Sequence, residues 1–417
     1  MVSRRKSRSE DSVTAVSSAP AKASSSPWVS MMKDIRKTTE ASKMDLVSPD
    51  MFADMYGVKY FIDTGLPSLN LYLGQDGENL DSHDPVYGLP TGRIGEIVGS
   101  EGSYKTFLIH KIGAEVIARG GVFFYISSEL DFDLSFFRHF YDKRKIAWDD
   151  VMERVMVGSA RTPVELQNVF KVLIPKIDKF RENERESSSR TGPILIAIDS
   201  LGAMAGGKNS ERFISEKDEG DQTGSHAKEI HDTMKYILRP IAKNDVAVLV
   251  ANHYRDNLGF GFTKFNPAHN STMKYYCTYR IDMNLGKVLK ESIKQAVKYI
   301  ESQEVRVGVR KVRGALVGDG KFSLVVNQNM DFDYWSSLVE ALIITDIMRK
   351  NAKGYFLNIS PESEDLLEME CAQRFEENSW TDLVSASIYL RKDPEGAALL
   401  ERLAYVRGPV IFNKDKE

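Results

Sequence analysis

A run of small and polar residues lies between an apolar stretch and a helical pattern, and it could bind phosphate. The run follows Ile94–Val98 and reads Gly99-Ser100-Glu101-Gly102-Ser103-Tyr104-Lys105-Thr106. In this setting, successive backbone N–H groups and the start of the helix favour phosphate oxygens. Lys105 would neutralise the outer phosphates, and the Thr106 hydroxyl would ligate Mg²⁺. The run therefore predicts a site for ATP and Mg²⁺, although Tyr104 stands where such loops usually carry glycine.

A second group of polar residues ends another apolar stretch. Asp199 and Ser200 directly follow Ile194–Ile198. The carboxyl end of a parallel strand lies beside the crevice where α/β proteins bind ligands. Asp199 would therefore hold Mg²⁺ through water, close to the phosphate-binding run. An Asp that caps the next helix is the alternative.

ATP hydrolysis also needs a residue that orients and polarises water. Glu129 follows the apolar stretch Val122–Ile126 and would lie at the same edge of the sheet. A carboxylate in a partly dry cleft can serve as a general base. From the residues alone, Glu129 ranks only just ahead of Asp131 and Asp133 for this role.

The elements that would position these residues alternate between strands and helices. One helical pattern opens with the capping box Thr162-Pro163-Val164-Glu165, and another runs over residues 230–241. The charged, Ser-rich segment 181–191 is expected to be a surface loop. This order predicts an α/β fold with a mostly parallel central sheet over residues 60–330. Four β-branched-rich runs read as strands covered on both faces: Ile94–Val98, Val122–Ile126, Ile194–Ile198 and Val246–Ala251.

Composition excludes several classes of protein. With 417 residues, 42% of them hydrophobic, the chain can bury one large core with smaller attachments. No apolar run is long enough to cross a bilayer, so no membrane is expected. Cys277 and Cys371 stand alone and at no metal-ligand spacing, which predicts reduced thiols in a cytosol-like compartment. The net charge of −3 leaves DNA binding to a local basic patch.

The ends of the chain differ from its centre. Residues 1–27 are basic and Ser-rich and are expected to form a disordered tail, with a targeting peptide as the alternative. Residues 28–59 are expected to be an oligomerisation helix region that packs on its own domain or on a neighbouring subunit. Residues 331–417 are expected to form a small C-terminal α+β domain. The helical face of the N-terminal region consists of Trp28, Met31, Met32 and Ile35.

Two segments ahead of the phosphate-binding run carry a family resemblance. They read Thr64-Gly65-Leu66-Pro67-Ser68-Leu69-Asn70 and Gly88-Leu89-Pro90-Thr91-Gly92-Arg93-Ile94-Gly95-Glu96-Ile97. Both resemble the start of the RecA ATPase core, where the same segments precede a P-loop. Tyr104 and the pair Asn252-His253 are similar to phage recombinases of the UvsX type. The resemblance covers roughly residues 28–360 and implies a RecA-like core with ATP bound between protomers.

The resemblance also implies roles for individual residues. Glu129 matches the catalytic Glu of the family. Asp133 and Phe136 match the acid and the aromatic residue that hold the adenine base, although an apolar helix position would explain Phe136 as well. Asn252-His253 matches the polar pair that senses the γ-phosphate and connects to the DNA loop, although His253 seen alone would more often be a structural histidine.

A basic segment resembles the part of the family that reaches into a neighbouring subunit's ATP. Lys311 and Arg313 match it best, with Arg310 as an alternative alignment. Such cations would stabilise charge on the transferring phosphate. A basic edge strand that blocks unwanted strand pairing would explain the same residues.

Two segments are expected to be DNA-binding loops, at about 205–224 and 254–274. The first is nearly balanced in charge, so its assignment rests on its position in the family. The second continues directly from His253, and residues 254–280 carry interleaved aromatics and four cations against one acid, the cations being Arg255, Lys264, Lys274 and Arg280. Cations on phosphates and rings on bases hold a single strand without sequence preference, and a flexible lid is the alternative. The candidate contacts are Lys208, Arg212, Arg255, Phe260, Phe262, Lys264, Phe265 and Lys274.

Together these patterns predict an ATP-dependent homologous-recombination protein. It would polymerise on single-stranded DNA into a helical filament and pair that strand with homologous double-stranded DNA. It would work in the cytoplasm, bound to DNA, with a single-strand-binding protein and a loader. Two alternatives remain open. A hexameric helicase would share the ATPase core, and a non-catalytic recombination mediator is supported only by Tyr104.

Overall fold

The structure of the protein is a computed structural model. It describes Met31 and residues 47–74, 87–129, 132–187, 191–204, 225–256, 265–294, 297–310, 320–327, 331–375 and 379–414. The chain divides into two compact units, Met1–Asp54 and Met55–Glu417. In the first unit Met31 is helical and exposed. The predicted tail and the other three residues of the N-terminal helical face lie outside the described residues.

The described strands are short except in one long hairpin. In chain order they are β1 (Phe61–Ile62), β2 (Leu89–Pro90), β3 (Ile94–Gly99), β4 (Val122–Ser127), β5 (Val155–Ser159), β6 (Ile194–Asp199), β7 (Val246–Asp256), β8 (Phe265–Pro267), β9 (Cys277–Lys294), β10 (Val297–Arg310), β11 (Gly320–Asn327), β12 (Asp331–Phe332), β13 (Met348–Asn351), β14 (Gly354–Leu357) and β15 (Ser379–Trp380). The hairpin is formed by β9 and β10.

The described helices vary from two turns to seven. In chain order they are α1 (Pro49–Tyr56), α2 (Pro67–Leu73), α3 (Lys105–Ala118), α4 (Leu134–Lys143), α5 (Trp148–Arg154), α6 (Pro163–Ser187), α7 (Ser225–Lys243), α8 (Asn270–Tyr276), α9 (Tyr334–Ile344), α10 (Leu366–Arg374), α11 (Leu383–Lys392) and α12 (Pro394–Lys414). None of them is both long and apolar enough to span a bilayer.

Ten of the described strands form one central sheet. Its order is β12-β11-β10-β9-β3-β7-β6-β4-β5, and β8 pairs with β7. Neighbouring strands from β9 through β3, β7, β6 and β4 to β5 are parallel, whereas those from β9 to β12 are antiparallel. The four predicted apolar runs form β3, β4, β6 and β7, and every residue of β3 and β6 is buried. The predicted α/β fold with a mostly parallel central sheet is confirmed.

Helices cover both faces of this sheet. Helix α3 packs Leu108, Ile109 and Ile112 into one core. Helices α6 and α7 pack apolar residues into a second core, among them Phe170 and Met234. The predicted start of α6 is present, because Thr162 Oγ1 accepts a hydrogen bond from Glu165 N at 3.2 Å. Strands buried on both faces carry apolar residues without alternation, which is the pattern seen in the sequence.

The described part of the segment 181–191 differs from the surface loop that its charge predicts, since residues 181–187 continue α6 and, of the described residues, 191 has no regular structure. Arg181 is buried, its Nη1 lies 2.5 Å from Glu184 Oε2, and its Nε donates to the carbonyl of Asn244 at 3.2 Å. Arg185 donates to the carbonyl of Lys243 at 3.0 Å. The charges therefore dock the end of α6 against the end of α7, and the loop prediction is wrong for residues 181–187.

The C-terminal region has an apolar core of its own. Helices α9 to α12 and the sheet of β13, β14 and β15 enclose buried residues such as Leu342, Trp380 and Leu400. This region also contacts α2, where Ser68 Oγ lies 2.8 Å from Ser337 Oγ on α9. Helix α9 therefore packs both on its own core and on the segment that precedes the phosphate-binding loop.

His110 lies on α3 among aromatic rings. Five rings surround it with centroids 4.6–6.4 Å away, and its Nδ1 has no hydrogen-bond partner among the described residues. Burial lowers the pKa of His110 to about 3. The neutral imidazole is therefore part of the core.

This burial predicts a pH dependence of stability. Between about pH 6.5, where a free His titrates, and pH 3, the unfolded chain binds a proton that the folded chain does not, so the free energy of unfolding falls as pH falls. The His110 contribution should lower it by about 2 kcal/mol from pH 7 to pH 5. Urea unfolding at both pH values should show this loss reduced in His110→Phe. His139→Phe, at a partly exposed position on α4, is the control and should leave the loss unchanged; an equal pH loss in wild type and His110→Phe would contradict the assignment.

Candidate active site

The phosphate-binding run forms a tight loop between β3 and α3. A Cβ on Gly99 would collide with Ser103 Oγ and the carbonyl of Met283, so this position requires glycine. Ser103 is buried and its Oγ donates to the carbonyl of Ser100 at 2.8 Å. Glu101 and Gly102 are exposed at the tip of the loop. The loop thus has the compact shape that a phosphate cradle needs.

Tyr104 adopts the left-handed conformation that usually selects glycine at this place. Its φ is +68°, which costs a residue other than glycine about 1–2 kcal/mol. Its ring packs edge-on against Phe107 and Phe332, with centroids 5.2 and 6.4 Å away. Each such pair contributes about 0.5–1.5 kcal/mol. The ring contacts therefore offset the strain, and tyrosine can hold the loop in the shape that glycine gives elsewhere.

Lys105 begins α3 and is buried within the loop. Its Nζ donates to the carbonyls of Gly99 and Ser100 at 3.1 and 2.8 Å. Burial lowers the pKa of Lys105, and the carboxylates of Asp199, Glu129 and Glu101 oppose that shift. The ammonium is thus held at the mouth of the cradle among groups that favour its charged form.

Thr106 and Asp199 meet at the ends of α3 and β6. The Thr106 hydroxyl donates to Asp199 Oδ2 at 2.7 Å, and the Tyr125 hydroxyl donates to the same oxygen at 3.1 Å. These are oxygen ligands of the kind that Mg²⁺ prefers, so the residues fit the predicted ion. The described residues contain no cluster of three His, Cys, Asp or Glu able to hold a metal. A bound Mg²⁺ would therefore share its coordination with phosphate and water.

Glu129 joins the ends of three neighbouring strands. Its Oε1 accepts a hydrogen bond from Ser200 Oγ at 2.9 Å, and His253 Nε2 lies 3.4 Å from the same oxygen. Strand register explains the meeting, because Ser127 of β4 lies beside Asp199 of β6, and Gly99 lies beside His253. The structure thus brings Glu129, Asp199, Ser200 and His253 to the edge of the sheet that carries the phosphate-binding loop.

Asp133 and Phe136 have local partners in the structure. Asp133 caps α4, where its Oδ1 accepts from the backbone N–H groups of Ser135 and Phe136 at 2.8 and 3.2 Å. The Phe136 ring is half-buried and packs against Phe107 and Phe140, with centroids 4.8 and 5.2 Å away. These contacts fix both residues near the loop, and their role towards adenine stays a prediction.

Asn252 does not face the cleft as the pairing with His253 suggests. It is fully buried, and its Nδ2 donates to Glu96 Oε1 at 2.7 Å and to the carbonyl of Ala268 at 2.6 Å. Arg280 Nε donates to the other carboxylate oxygen, Oε2, of Glu96 at 2.6 Å. Asn252 therefore ties β7 to β3 and to the residues just after β8.

Glu96 and Arg280 are the partners that sequence reasoning missed. The signal was an acid within the buried strand β3, since a buried charge requires a partner. Arg280, counted in the sequence among the cations of the second DNA segment, is instead held by Glu96 on β3 and is only 16% exposed. The basic excess of that segment is smaller than the sequence predicts, because one of its four cations is used inside the fold.

Arg280→Ala should destabilise the fold strongly. Breaking a buried ion pair leaves the Glu96 carboxylate uncompensated, which costs about 3–5 kcal/mol. Urea unfolding of the variant should show this loss. Arg306→Ala is the matched control, because the Arg306 side chain is 60% exposed and 3.7 Å from Glu304, and it should cost less than about 1 kcal/mol. Equal losses in the two variants would contradict the buried-pair interpretation.

The strand that carries His253 leads directly into a two-stranded ribbon. Tyr254, Arg255 and Asp256 of β7 pair with Pro267, Asn266 and Phe265 of β8. Lys274 is exposed on α8. The remaining DNA candidates Lys208, Arg212, Phe260, Phe262 and Lys264 lie outside the described residues, as do Lys311 and Arg313. The described part of this segment is thus the base of the predicted second loop.

Arg310, the alternative alignment for the cation that reaches a neighbour, ends β10. Its Nε lies 2.7 Å from Asp282 Oδ2 on β9. Arg310 is therefore paired within its own chain. The roles of Arg310, Lys311 and Arg313 towards a neighbouring subunit's ATP stay a prediction.

No protein-family model matches the chain. A Protein RecA from Rhodopirellula baltica is 27% identical over 247 residues, which is 59% of this chain and 56% of that protein. The chain therefore spans little more than half the length of that relative. A Protein RecA from Herpetosiphon aurantiacus is 27% identical over 302 residues, 71% of each chain, and one from Malacoplasma penetrans is 22% identical over 284 residues, 67% of this chain and 75% of the relative.

These relatives share one name, and the similarity extends over more than half of this chain. The mostly parallel sheet, with a phosphate-binding loop at the carboxyl end of its strand β3, has the architecture implied by the resemblance. The chain is thus similar in sequence to proteins named RecA, and its fold is consistent with a RecA-like core.

Proposed function

We propose that the chain is a DNA-dependent ATPase that polymerises on single-stranded DNA and catalyses homologous pairing and strand exchange. The observation that carries this proposal is the 3.4 Å approach of His253 to Glu129 beside the phosphate-binding loop. His253 lies on the strand that continues into the β7–β8 ribbon. A group beside the phosphate-binding loop is thereby one residue from the predicted DNA loop.

The residues of the loop would bind and orient the triphosphate. Backbone N–H groups of residues 99–106 and the Lys105 ammonium would hold the phosphates. Thr106 and Asp199 would hold Mg²⁺, which neutralises developing negative charge. Glu129 would accept the proton of the attacking water, since Ser200 and His253 fix its carboxylate in place.

Two further groups would complete the nucleotide site. Asp133 and Phe136 would lie against the adenine end of ATP. Lys311 and Arg313 would reach the ATP of a neighbouring protomer and stabilise charge in the transition state. This arrangement makes turnover depend on assembly, because each site takes cations from a second copy of the chain.

DNA binding would use the two loop segments and follow the nucleotide state. The proposed contacts combine cations with stacking aromatics, and they are Lys208, Arg212, Arg255, Phe260, Phe262, Lys264, Phe265 and Lys274. ATP would bind the DNA-binding conformation of the chain more tightly than the conformation that does not bind DNA. It would therefore increase the population of the DNA-binding conformation. His253 would carry this preference to the ribbon.

The chain would act among DNA-bound proteins of the cytoplasm. Tyr104 and the Asn252-His253 pair support a phage-like, UvsX-type recombinase within the broader family. A single-strand-binding protein and a loader would be its accessory partners. These assignments follow from the resemblance of the motifs.

A strand-exchange assay tests the proposal. The full chain should transfer a strand from a homologous duplex to single-stranded DNA in the presence of ATP and Mg²⁺, and should fail with a heterologous duplex. Electron microscopy of the same mixture should show open helices. Unwinding by closed rings would instead indicate a hexameric helicase, and DNA binding without phosphate release would indicate a non-catalytic mediator.

A further inference from the structure

A chain of three polar side chains crosses the sheet beside the candidate active site. The Tyr254 hydroxyl donates to Asp282 Oδ1 at 2.9 Å. Arg310 Nε lies 2.7 Å from the other carboxylate oxygen, Oδ2, of Asp282. The three residues come from β7, β9 and β10. Asp282 thus connects two strands that are not neighbours in the sheet.

The two ends of this chain lead to different predicted functional segments. Tyr254 follows His253 directly and opens the β7–β8 ribbon, where it pairs with Pro267. Arg310 is the last residue of β10 and precedes Lys311. Asp282 itself lies beside Val98 of β3, one residue before the phosphate-binding loop begins at Gly99. One carboxylate therefore joins the base of the predicted DNA loop to the start of the predicted basic segment.

The Tyr254 hydroxyl stays in the form that can donate a hydrogen bond to Asp282. Burial raises the pKa of Tyr254, and the charge of Asp282 raises it further. The phenol thus stays protonated and acts as a donor to the carboxylate. Asp282 is buried, so it needs both partners to compensate its charge.

Arg310 is the exposed end of this chain of contacts. Its side chain is 59% exposed, whereas that of Asp282 is 7% exposed, so solvent screens the charge of Arg310 more than that of Asp282. A guanidinium that solvent reaches can exchange partners at a lower cost than a buried one. The pair is therefore suited to transmit a change of position between two segments.

We propose that Asp282 is a positioning residue that couples the basic segment after Arg310 to the base of the DNA loop through Tyr254. This coupling rests on the proposed function, since both segments owe their roles to it. When a neighbour's nucleotide draws the basic segment, Arg310 shifts against Asp282, and the Tyr254 hydrogen bond carries the shift to the ribbon. In this proposal Asp282 acts through its partners and contacts neither ATP nor DNA.

A double-mutant cycle on the full chain tests the coupling. Tyr254→Phe removes only the hydroxyl and Arg310→Gln removes only the charge. The measured quantity is the gain in affinity for a fluorescent oligo-dT when ADP is replaced by a non-hydrolysable ATP analogue. Each single variant should reduce this gain by about 5-fold or more, a typical allosteric coupling. The double variant should lose no more than the single variants do, because both changes interrupt one chain of contacts.

Two controls separate coupling from general damage. Tyr276→Phe removes a hydroxyl that lies 3.1 Å from His231 Nε2, and Arg306→Gln removes an exposed cation from the same strand as Arg310. Both should retain the wild-type gain. Losses that multiply in the double variant, or a gain that survives both single changes, would overturn the coupling.

A second readout distinguishes failure of this inference from failure of the proposed function. Without any DNA present, backbone hydrogen exchange of residues 253–256 and 265–268 should increase in both Arg310→Gln and Tyr254→Phe. Exchange that is unchanged in Arg310→Gln would overturn the connection whatever the protein does. The proposed function would be overturned if the wild-type chain bound oligo-dT equally well with ADP and with the ATP analogue. The coupling would then fall with it, even if hydrogen exchange increased as expected.

Discussion

Lys105→Ala should abolish ATP turnover by the chain, with a fall of at least about 10²–10³-fold in kcat. The Lys105 ammonium is held at the mouth of the loop by the carbonyls of Gly99 and Ser100, and it is the cation that the loop itself offers to the phosphates. Without this ammonium the negative charge on the phosphates is not stabilised, and water cannot replace it because the position is buried. Phosphate release measured at saturating ATP, Mg²⁺ and single-stranded DNA checks the prediction.

A lysine on the same helix provides the control for this experiment. Lys111 lies further along α3 and its Nζ is 3.6 Å from Asp331, away from the phosphate-binding loop. Lys111→Ala should keep the rate of phosphate release within about 3-fold of wild type, as expected for a substitution outside the site. Near-normal turnover in Lys105→Ala would show that residues 99–106 are not the nucleotide site.

Glu129→Gln should separate ATP binding from ATP hydrolysis. Gln cannot accept a proton from water, and loss of a general base typically lowers turnover by about 10²–10⁴-fold. The amide oxygen can still accept the hydrogen bond from Ser200 Oγ, so the ends of the strands should stay in place. The variant should therefore bind single-stranded DNA with ATP at least as tightly as wild type, and should hold it longer. Phosphate release and DNA dissociation rates measured on the same preparation check both parts.

The control for Glu129 is a carboxylate in the phosphate-binding loop itself, which is exposed and is not given the Ser200 and His253 contacts of Glu129. Glu101 is exposed at the tip of the loop, and Glu101→Gln makes the same change of charge. It should alter turnover far less than Glu129→Gln. If Glu129→Gln hydrolyses ATP normally, the general base is another residue and the contact between His253 and Glu129 has no role in turnover.

The central sheet was predictable because its strands are covered on both faces. Ile94–Val98 and Ile194–Ile198 have no polar alternation, and such runs can only be buried. The phosphate-binding loop was predictable for a related reason, since Lys105 and Thr106 directly follow one of these strands. Both inferences depend on residues that are neighbours in the chain.

The parts of the structure that the sequence did not predict depend on contacts between residues far apart in the chain. The charge of residues 181–187 indicates a loop, and only the end of α7 gives Arg181 and Arg185 the carbonyls that make a helix there favourable. Arg280 counts as a DNA-facing cation until Glu96, 184 positions earlier, is seen beside it. No local pattern identifies such partners, because they are set by the register of β3 against β9.

The internal hydrogen bonds of the loop should also affect which anions it binds. The Lys105 ammonium and the Thr106 hydroxyl already have oxygen acceptors from the chain itself. A small anion such as inorganic phosphate would exchange these bonds for equivalent ones, and such an exchange yields little net free energy. A triphosphate that arrives with its divalent cation can replace both sets at once, because it offers anionic oxygens to Lys105 and a positive charge to Asp199. If residues 99–106 bind ATP as proposed, rejection of simple phosphates would be a property of the folded loop and would precede any recognition of base or sugar.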